Sequence, residues 1–410
     1  MSLSSVTTLP GRLRNPWTVI LCAATLVTIA MGIRQSSGLF LRPIELDIGV
    51  DRQAFGMAIA IQNLVLGIVQ PMVGAMADRF GAGRIAAMGG LLYALGLAWA
   101  SMIGDALGLS LSLGFLSGLA MTGVTFVIAI GAAARAVPPE RRGLATGIVT
   151  AGGSFGQFLL VPIAQGLIDG FGWRGAMMIY AGLAALMVPL AIGVAGRPPM
   201  QGTASAPSQS SGQAFREAMA HPGFWLLSAG FFVCGFHVAF VGTHLPAFLA
   251  DKGLSPAIGA QALALVGLFN ILGSYVFGMS ADRLRKKNVL AAIYFGRAAV
   301  MVLFLSLPVT TLSATLFACA MGFLWLGTVP LTSGIVAQIF GIRHLSMLFG
   351  IVFMAHQIGS FFGAWGAGYA YTLTGSYDFA WQASVGIAVL AGLLNLPIRD
   401  KAMPRLAAAR

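Results

Sequence analysis

Charged and imidazole side chains inside long apolar stretches are the residues of this sequence best placed to do chemistry. Arg34 lies in the stretch 17–42, and the 12 acidic residues all fall in loops or at the ends of such stretches. An arginine stays charged in an apolar environment and must find a partner there. Its planar guanidinium can hold a carboxylate through two parallel hydrogen bonds. We therefore expect Arg34 to bind an anion from outside the chain. Reaching the membrane interface or bonding to backbone carbonyls is the alternative.

Uncharged polar side chains in the other apolar stretches are further candidates for contact with a bound molecule. Buried amides need hydrogen-bond partners, which a neighbouring helix supplies as well as a ligand does. His237 and His356 can titrate near neutral pH, so they are the candidates if protons take part. Trp325 offers an apolar wall, although most helix aromatics serve packing. The remaining candidates are Gln62, Asn63, Gln157, Asn270 and Gln357.

The composition places these residues in a membrane protein. Of the 410 residues, 58% are hydrophobic and 9% are charged, whereas a soluble domain has about 25% charged residues. A membrane-crossing helix needs about 20 apolar residues. The sequence has twelve such stretches, at 17–42, 53–77, 83–103, 107–134, 142–168, 174–195, 222–248, 257–280, 288–308, 311–338, 345–373 and 379–397. We therefore predict an all-α polytopic membrane protein.

The distribution of positive charge predicts the orientation, because cytoplasmic loops are rich in Lys and Arg. With the N-terminus in the cytoplasm, four of the 24 basic residues lie outside and two, Arg34 and Arg297, lie within helices. All the others are then cytoplasmic. The four outer residues are Arg42, Arg52, Arg174 and Lys252. We expect the bacterial inner (plasma) membrane, with both termini cytoplasmic, and the net charge of +12 then needs no nucleic-acid partner.

A polar segment near the middle of the chain predicts two domains. The residues from Arg197 to Gly212 are rich in Pro, Gly, Ser, Gln and Thr, a composition typical of flexible linkers. We assign residues 196–220 to a cytoplasmic linker. Six predicted helices precede it, in a bundle at 1–195, and six follow it, in a bundle at 221–410.

Three short motifs recur across this linker at offsets of 203 to 206 residues. Repeats of this kind place a bound molecule near the bilayer midplane, between the two halves. One of them makes His237 the counterpart of Arg34, so we expect both side chains to approach a central cavity from opposite halves. The pairs are Gly32-Ile33-Arg34 with Pro43 and Gly235-Phe236-His237 with Pro246, Gly74-x-x-x-Asp78-Arg79 and Gly278-x-x-x-Asp282-Arg283, and Gly153-Ser154-Phe155 and Gly359-Ser360-Phe361.

The repeated acidic and basic motif lies in the short loops after the second and the eighth predicted helix. A carboxylate there can accept from a helix N-terminus or pair with an arginine, and such contacts can form in one conformation and break in another. An ordinary charged turn is the alternative. We assign a gating role to Gly74, Asp78, Arg79, Asp282 and Arg283, and to His244 near the outer end of the seventh helix.

The loop Gly74-Ala75-Met76-Ala77-Asp78-Arg79-Phe80-Gly81-Ala82-Gly83-Arg84, with twelve predicted helices and a central linker, resembles the signature of the major facilitator superfamily. The resemblance covers the whole chain. It implies two pseudo-symmetric six-helix bundles that rock about a cavity lined by helices 1, 4, 7 and 10, helped by 2, 5, 8 and 11. Helix 9 is then peripheral. For Arg297 on this helix we favour a structural role, with the side chain able to reach the cytoplasm, and a functional role stays open.

Three further motifs resemble the branch of monocarboxylate transporters and oxalate/formate antiporters, whose members move small organic anions. This branch often carries an Asp and an Arg four residues apart in helix 8. Asn270 and Ser274 occupy the matching positions here, so both charges are gone. The three motifs are Gly38-Leu39-Phe40-x-x-Pro43, Arg142-Gly143-Leu144-Ala145-Thr146-Gly147 and Thr374-Gly375-Ser376-Tyr377-Asp378.

The sequence thus predicts a secondary transporter for a small organic anion, a carboxylate in particular, that works by alternating access. An exporter of multiple drugs or other hydrophobic compounds is the alternative, although that role usually needs acidic side chains in the cavity. We find no nucleotide-binding loop, nucleophile–base arrangement or metal-ligand cluster, so we expect no enzyme activity, cofactor or metal. A proton or a counter-anion is the coupled ion to consider, and we expect a monomer.

Overall fold

The computed structural model describes residues 15–138, 141–195, 210–341 and 344–403, and every regular element within these ranges is a helix. The first half contains α1 (Pro16–Gln35), α2 (Ser37–Ile48), α3 (Arg52–Phe80), α4 (Ala82–Ala100), α5 (Ala106–Leu109), a π-helical segment (Ser110–Leu116), α6 (Ser117–Val124), α7 (Phe126–Arg135), α8 (Arg142–Ala185) and α9 (Met187–Gly193). The second half contains α10 (Ser211–Ala220), α11 (Pro222–Asp251), α12 (Pro256–Arg283), α13 (Lys286–Ser306), α14 (Thr311–Phe323), α15 (Thr328–Phe340), α16 (Leu345–Thr374) and α17 (Asp378–Asn395).

Ten helical stretches in the described residues are long and apolar enough to cross a membrane. The longest, Leu144–Gly193, has 50 residues, more than twice the length that one crossing needs. It bends at Gly172, whose φ of 68° is readily adopted only by glycine. The predicted helices 142–168 and 174–195 are therefore joined by a glycine bend rather than a loop. With the 18-residue α17, the twelve crossings of the predicted fold are accounted for.

The predicted linker ends in a helix. α10 occupies its last ten residues and begins with a capping box, in which the Ser210 side chain accepts from the Gln213 N–H and the Gln213 side chain accepts from the Ser210 N–H. This box satisfies backbone donors that a helix N-terminus leaves unpaired. Residues 196–209 of the predicted linker lie outside the described residues.

Four predicted helices are interrupted within their apolar stretches. α1 and α2 meet at Ser36, α6 and α7 meet at Thr125, α8 and α9 meet at Leu186, and residues 324–327 separate α14 from α15. A break inside a membrane-crossing helix leaves backbone N–H and C=O groups without helix partners. Other parts of the protein must supply their hydrogen bonds, because lipid offers none. Polar side chains are therefore expected to gather at these breaks.

Glycine residues let the central helices of each half touch through their backbones. In the first half α8 packs against α1, and in the second half α16 packs against α11. A Cβ atom on Gly156 would lie 2.1 Å from Thr28 O, and one on Gly359 would lie 1.9 Å from Phe232 O. Neither site has room for a side chain. The same kind of contact thus holds the first and fifth helices of each half together, in agreement with the internal repeat.

The two halves meet at the predicted outer end and separate toward the predicted inner end. α3 of the first half runs along α16 of the second half. On α3, no residue from 52 to 67 is exposed, whereas Ile68 and Met72 are 48% and 64% exposed. A Cβ atom on Gly56 would lie 2.4 Å from Ala364 O, while one on Gly74 would meet no described atom within 4 Å. The conformation is closed at one end and open at the other.

We predict that Gly359→Ala destabilises the protein and that Gly350→Ala on the same helix does not. The first substitution forces a methyl group against Phe232 O, and overpacking of this kind costs about 1–3 kcal/mol. The second places its methyl group where no described atom lies within 4 Å, and alanine has the better helix propensity by about 1 kcal/mol. The measurement is the temperature at which the detergent-purified protein loses its monodisperse peak. Equal midpoints for the two variants would contradict the close helix contact.

Candidate substrate-binding site

The break between α1 and α2 brings Arg34 to the boundary between the two halves. Arg34 lies in the last turn of α1 and is half-buried, and its guanidinium donates to Oδ1 of Asn63 on α3. Asn63 Nδ2 donates to Ile59 O at 2.8 Å, which fixes the amide with its oxygen toward Arg34. The break itself is held by the Ser36 hydroxyl, which donates to Gly32 O at 2.8 Å.

The charge of Arg34 has no carboxylate partner among the described residues, whose ion pairs all lie elsewhere. A cation in an apolar environment is costly unless it is paired or fully hydrogen-bonded. The single amide oxygen of Asn63 leaves most of the five guanidinium N–H donors available. Arg34 can therefore accept an anion without first breaking an ion pair.

A narrow cleft between the halves runs past Arg34. Its volume of about 20 Å³ is enough for one or two water molecules. An organic anion therefore fits only when the halves or the side chains move apart. The cleft is lined by Arg34, Gln35, Ser37, Ile59, Gln62, Asn63, Val238, Ala239, Gly242, Thr243 and Ser360.

Three of the predicted amides bridge the two halves near this cleft. Each uses its NH₂ group to reach an oxygen atom of the other half, so each bond must break if the halves separate at this level. The bonds run from Gln157 Nε2 to Leu263 O (2.8 Å), from Gln357 Nε2 to Asn63 O (3.1 Å) and from Asn270 Nδ2 to Ser154 Oγ (2.8 Å).

Two other amides line the cleft. Gln62 was predicted, and its Nε2 donates within the first half to Leu113 O at 2.9 Å. Gln35 was not predicted, and its Nε2 donates to Gln157 Oε1 at 3.0 Å. The position of Gln35 next to Arg34 was the signal available in the sequence.

Asn270 also serves the break between α14 and α15. Its Oδ1 accepts from the backbone N–H of Leu326 at 2.9 Å and from the Ser274 hydroxyl at 3.2 Å. The two residues that replace the expected charged pair on this helix are therefore hydrogen-bonded to each other. They form a neutral cap for the broken helix instead of a charged site.

His237 lies on the side of α11 that faces away from the cleft. Its ring is fully buried, with Nε2 at 3.0 Å from Ser384 O and Nδ1 at 3.5 Å from Arg297 Nη1. The neighbouring Val238 and Ala239 line the cleft instead, and successive residues of a helix point about 100° apart. The expected approach of His237 to the cavity is therefore wrong for this structure.

Arg297 is a second buried cation. Its exposure is 0%, so the expectation that it can reach the cytoplasm is wrong. Its Nε and Nη2 donate to Leu324 O at 3.1 and 2.9 Å, and Nη2 also donates to Trp325 O. These carbonyls are freed by the break between α14 and α15. The contacts support the structural role favoured for Arg297.

Two further predicted residues lie behind the cleft. Trp325 is fully buried, so it forms no wall of the cleft in this conformation. His356 is 6% exposed, with Nδ1 at 3.0 Å from Gln357 Oε1 and its ring stacked on Phe353. It lies one helical turn from Ser360, which does line the cleft.

An ion pair that sequence analysis missed closes the predicted outer end. Arg52 of α3 is 4% exposed, and its Nη2 lies 2.8 Å from Asp251 Oδ1 at the end of α11. Its Nε lies 3.1 Å from Glu45 Oε1, and Arg42 Nη1 lies 3.3 Å from Asp251 Oδ1. Asp251 therefore ties two arginines of the first half to the second half.

His244, which we predicted to take part in gating, contacts the same cluster through Tyr377. Burial raises the pKa of the Tyr377 hydroxyl above its usual range, so this group stays protonated. Tyr377 Oη lies 3.3 Å from Arg52 Nη1 and 3.0 Å from His244 Nδ1. It therefore accepts from the arginine and donates to the histidine. His244 Nε2 lies 2.7 Å from Ala364 O, so both ring nitrogens are bonded.

The internal repeat contained a signal for this ion pair. Asp251 is the counterpart of Asp47 at an offset of 204 residues. Asp47 forms its own ion pair with Arg174 at 3.3 Å, within the first half. Each half thus ends its first helix with a carboxylate that meets an arginine. Charged residues are common at helix ends, so residue type alone did not identify Asp47 and Asp251 as partners in ion pairs.

Among the described residues, the predicted inner gate shows no contact between the halves. A Cβ atom on Gly74 would meet no described atom within 4 Å, so the close packing expected of this residue is not formed. Arg79 and Arg283 are exposed. The side chains of Asp78 and Asp282 lie outside the described part of the structure. The gating roles assigned to this motif stay predictions.

Comparison with known proteins agrees with the fold and with the resemblance. A family model described as Major Facilitator Superfamily matches residues 20–332. The oxalate:formate antiporter of Oxalobacter formigenes is 24% identical over 399 residues, which cover 97% of this chain and 93% of the antiporter. Monocarboxylate transporter 13 of Rattus norvegicus is 26% identical over 391 residues, which cover 93% of this chain and 89% of that protein.

A solved structure shares the fold. It is the crystal structure of a bacterial homolog to the human lysosomal transporter Spinster, in an inward-facing and occupied conformation. The TM-score is 0.75 at 16% sequence identity, and the match covers 95% of this chain and 99% of that one. The twelve helical crossings, the repeated motifs and the family model agree. The chain is a multi-pass transporter rather than an enzyme, and it belongs to the major facilitator superfamily.

Proposed function

We propose that the protein carries a small organic anion, a carboxylate, across the inner membrane by alternating access. The observation that carries this proposal is the unpaired charge of Arg34. Its guanidinium lies at a cleft between the halves, bonded to a neutral amide, with no carboxylate beside it among the described residues. Two relatives are named for carboxylates, one as an oxalate:formate antiporter and one as a monocarboxylate transporter.

The surroundings of Arg34 suit a bound carboxylate. The Asn63 amide holds the guanidinium from one side, and hydroxyl and amide groups of Ser37, Thr243 and Gln62 line the same cleft. A guanidinium can donate two parallel hydrogen bonds to one carboxylate. The neutral groups can then bond the remainder of a small polar anion without adding charge. The alternative role, export of multiple drugs or other hydrophobic compounds, would usually need acidic side chains here.

Alternating access requires closures at the two ends that form in turn. We assign the outer closure to the ion pair of Arg52 with Asp251 and the inner closure to the repeated Asp–Arg motif. The moving bodies are the predicted bundles 1–195 and 221–410, with both termini in the cytoplasm. The hydrogen bonds of the bridging amides Gln157, Asn270 and Gln357 are among the contacts between the bundles that must break when the outer closure opens.

We predict that Arg34→Gln abolishes carboxylate transport and that Arg34→Lys severely reduces it, because lysine keeps the charge but loses the planar fork. Truncating one partner of a buried charge pair costs about 2–5 kcal/mol, so initial rates at low substrate should fall by at least about 30-fold. The measurement is counterflow of radiolabelled acetate, lactate and oxalate in proteoliposomes.

The matched control is Arg216→Gln, which removes an exposed arginine of α10 and should transport like the wild type. Equal amounts of monodisperse protein must be reconstituted for all variants. Wild-type rates in Arg34→Gln would refute the anchor role, and with it the proposal of an organic anion as substrate.

We predict that Asn63→Asp blocks transport while leaving the protein folded. The new carboxylate would pair with Arg34, and a substrate anion would have to displace it. Asn63→Ala is the control, since it removes the same amide without adding a charge, and it should keep a measurable fraction of the wild-type rate. The readouts are counterflow and the thermal midpoint of the purified variants. Transport by Asn63→Asp at the level of Asn63→Ala would show that Arg34 does not receive the anion.

A further inference from the structure

Arg52 already holds a carboxylate in this structure, and that carboxylate belongs to the other half of the protein. Its Nη2 donates to Asp251 Oδ1 at 2.8 Å, and its Nη1 donates to Asp251 Oδ2. Two parallel hydrogen bonds from one guanidinium to one carboxylate form the strongest and most selective contact between these groups. The side chain of Asp251 thus shows how Arg52 holds a carboxylate.

The other groups around Arg52 divide between the two halves. Glu45 of α2 accepts from Nε at 3.1 Å, and it moves with Arg52 because both residues belong to the first half. Tyr371 and Tyr377 belong to the second half. The Tyr371 ring centre lies 3.8 Å from Arg52 Cζ, and Tyr377 Oη lies 3.3 Å from Nη1. When the halves part at this end, Arg52 therefore keeps Glu45 and loses the groups that contact Nη1 and Nη2.

Contact with the second half is also what buries Arg52. Its exposure is 4%. α16 packs directly on its backbone, since a Cβ atom on Gly368 would lie 2.2 Å from Arg52 O. Separation of α3 from α16 therefore brings the guanidinium into contact with water on the predicted outer side.

The charges at this end balance only while the halves are in contact. Arg42 Nη1 lies 3.3 Å from Asp251 Oδ1, so two arginines of the first half face two carboxylates, Glu45 and Asp251. Opening removes Asp251 and leaves two guanidinium groups with one carboxylate. The other described carboxylates of the first half at this end are bonded elsewhere, and they are Asp47, Asp51, Asp105 and Asp169.

We propose that Arg52 is an outer binding site for a carboxylate, in which the carboxylate of an external anion takes the place of Asp251 when the outer end opens. The proposal rests on the proposed function for the class of ligand and for the opening. Exchange of one carboxylate for another keeps both hydrogen bonds of the Arg52 guanidinium and restores the charge balance of the first half. The bound anion competes with Asp251, so it also delays closure of the outer end.

Arg42 gives an external anion access to this site. Its side chain is 39% exposed, so it can meet an anion in water while Asp251 still occupies Arg52. A neutral molecule can replace the charge of Asp251 at neither arginine. The outer site therefore selects anions before they reach Arg34.

A first test replaces the carboxylate of Asp251 with a free one. Asp251→Ala removes the carboxylate, and formate is small enough to occupy its place. The test uses the full chain with Arg34→Gln, which removes the proposed substrate site. Asp251→Ala should lower the thermal midpoint of the purified protein, and sodium formate should recover most of that loss. Sodium chloride at equal ionic strength and formamide should not.

Addition of Arg52→Gln to these two substitutions should remove the response to formate. A variant with Arg34→Gln and Asp251→Ala that does not respond to formate would overturn the proposal. So would a response that persists without Arg52.

A second test measures the site during transport. Right-side-out vesicles are loaded with an unlabelled carboxylate, and exchange with external radiolabelled acetate, lactate or oxalate gives the external KM. Arg52→Gln and Asp251→Asn break the same ion pair, so a mere closure would change the KM alike in both. We expect opposite changes. Arg52→Gln should raise the KM about tenfold, because charge-assisted hydrogen bonds to the anion are lost, and Asp251→Asn should lower it, because the competing carboxylate is gone.

The matched control is Asp47→Asn, which changes the repeat counterpart of Asp251 and an ion pair within the first half. Its KM should equal that of the wild type. A KM that moves in the same direction in Arg52→Gln and Asp251→Asn, or that stays unchanged in Arg52→Gln, would overturn the proposal. This comparison carries the test if Asp251→Ala does not fold. Absence of exchange with every probe would refute the proposed function, whereas a formate response that depends on Arg52 would still uphold the carboxylate site.

Discussion

Two guanidinium groups inside the helix packing, with no carboxylate beside either among the described residues, set the constraint on which the rest of this structure depends. Arg297 donates to the backbone carbonyls that the break between α14 and α15 leaves without helix partners. Arg34 has one neutral amide and an adjacent cleft. Since a buried cation is costly unless compensated, the first group stabilises a broken helix and the second is left able to receive an anion.

The contacts between the halves are of two kinds, neutral hydrogen bonds and ion pairs. Near the cleft they are neutral amide hydrogen bonds, such as the bond from Gln157 to Leu263 O. A bond of this kind contributes about 1 kcal/mol net, so it can be exchanged for a bond to substrate at low cost. The ion pair of Arg52 with Asp251 lies at the predicted outer end. There, water can solvate both charges when the halves part.

The sequence predicted the twelve crossings, the repeat and the family, because length, hydropathy and motif spacing determine these features. The repeat offsets also paired His237 with Arg34, but they did not predict which face of its helix each residue occupies. The contact of Gly235 with His356 O sets the rotation of α11, and Val238 and Ala239 then face the cleft. The bend at Gly172 and the ion pair of Asp251 depend likewise on tertiary contacts that no local pattern encodes.

Binding of a carboxylate and of its uncharged amide to the purified protein reports directly whether Arg34 receives an anion. Thermal midpoints of the wild type and of Arg34→Gln are compared in lactate and in lactamide. A ligand that binds the folded state stabilises it, by about 2.7 kcal/mol at one hundred times its Kd. We predict that lactate raises the thermal midpoint of the wild type alone and that lactamide raises neither midpoint. An equal rise for Arg34→Gln in lactate would contradict it.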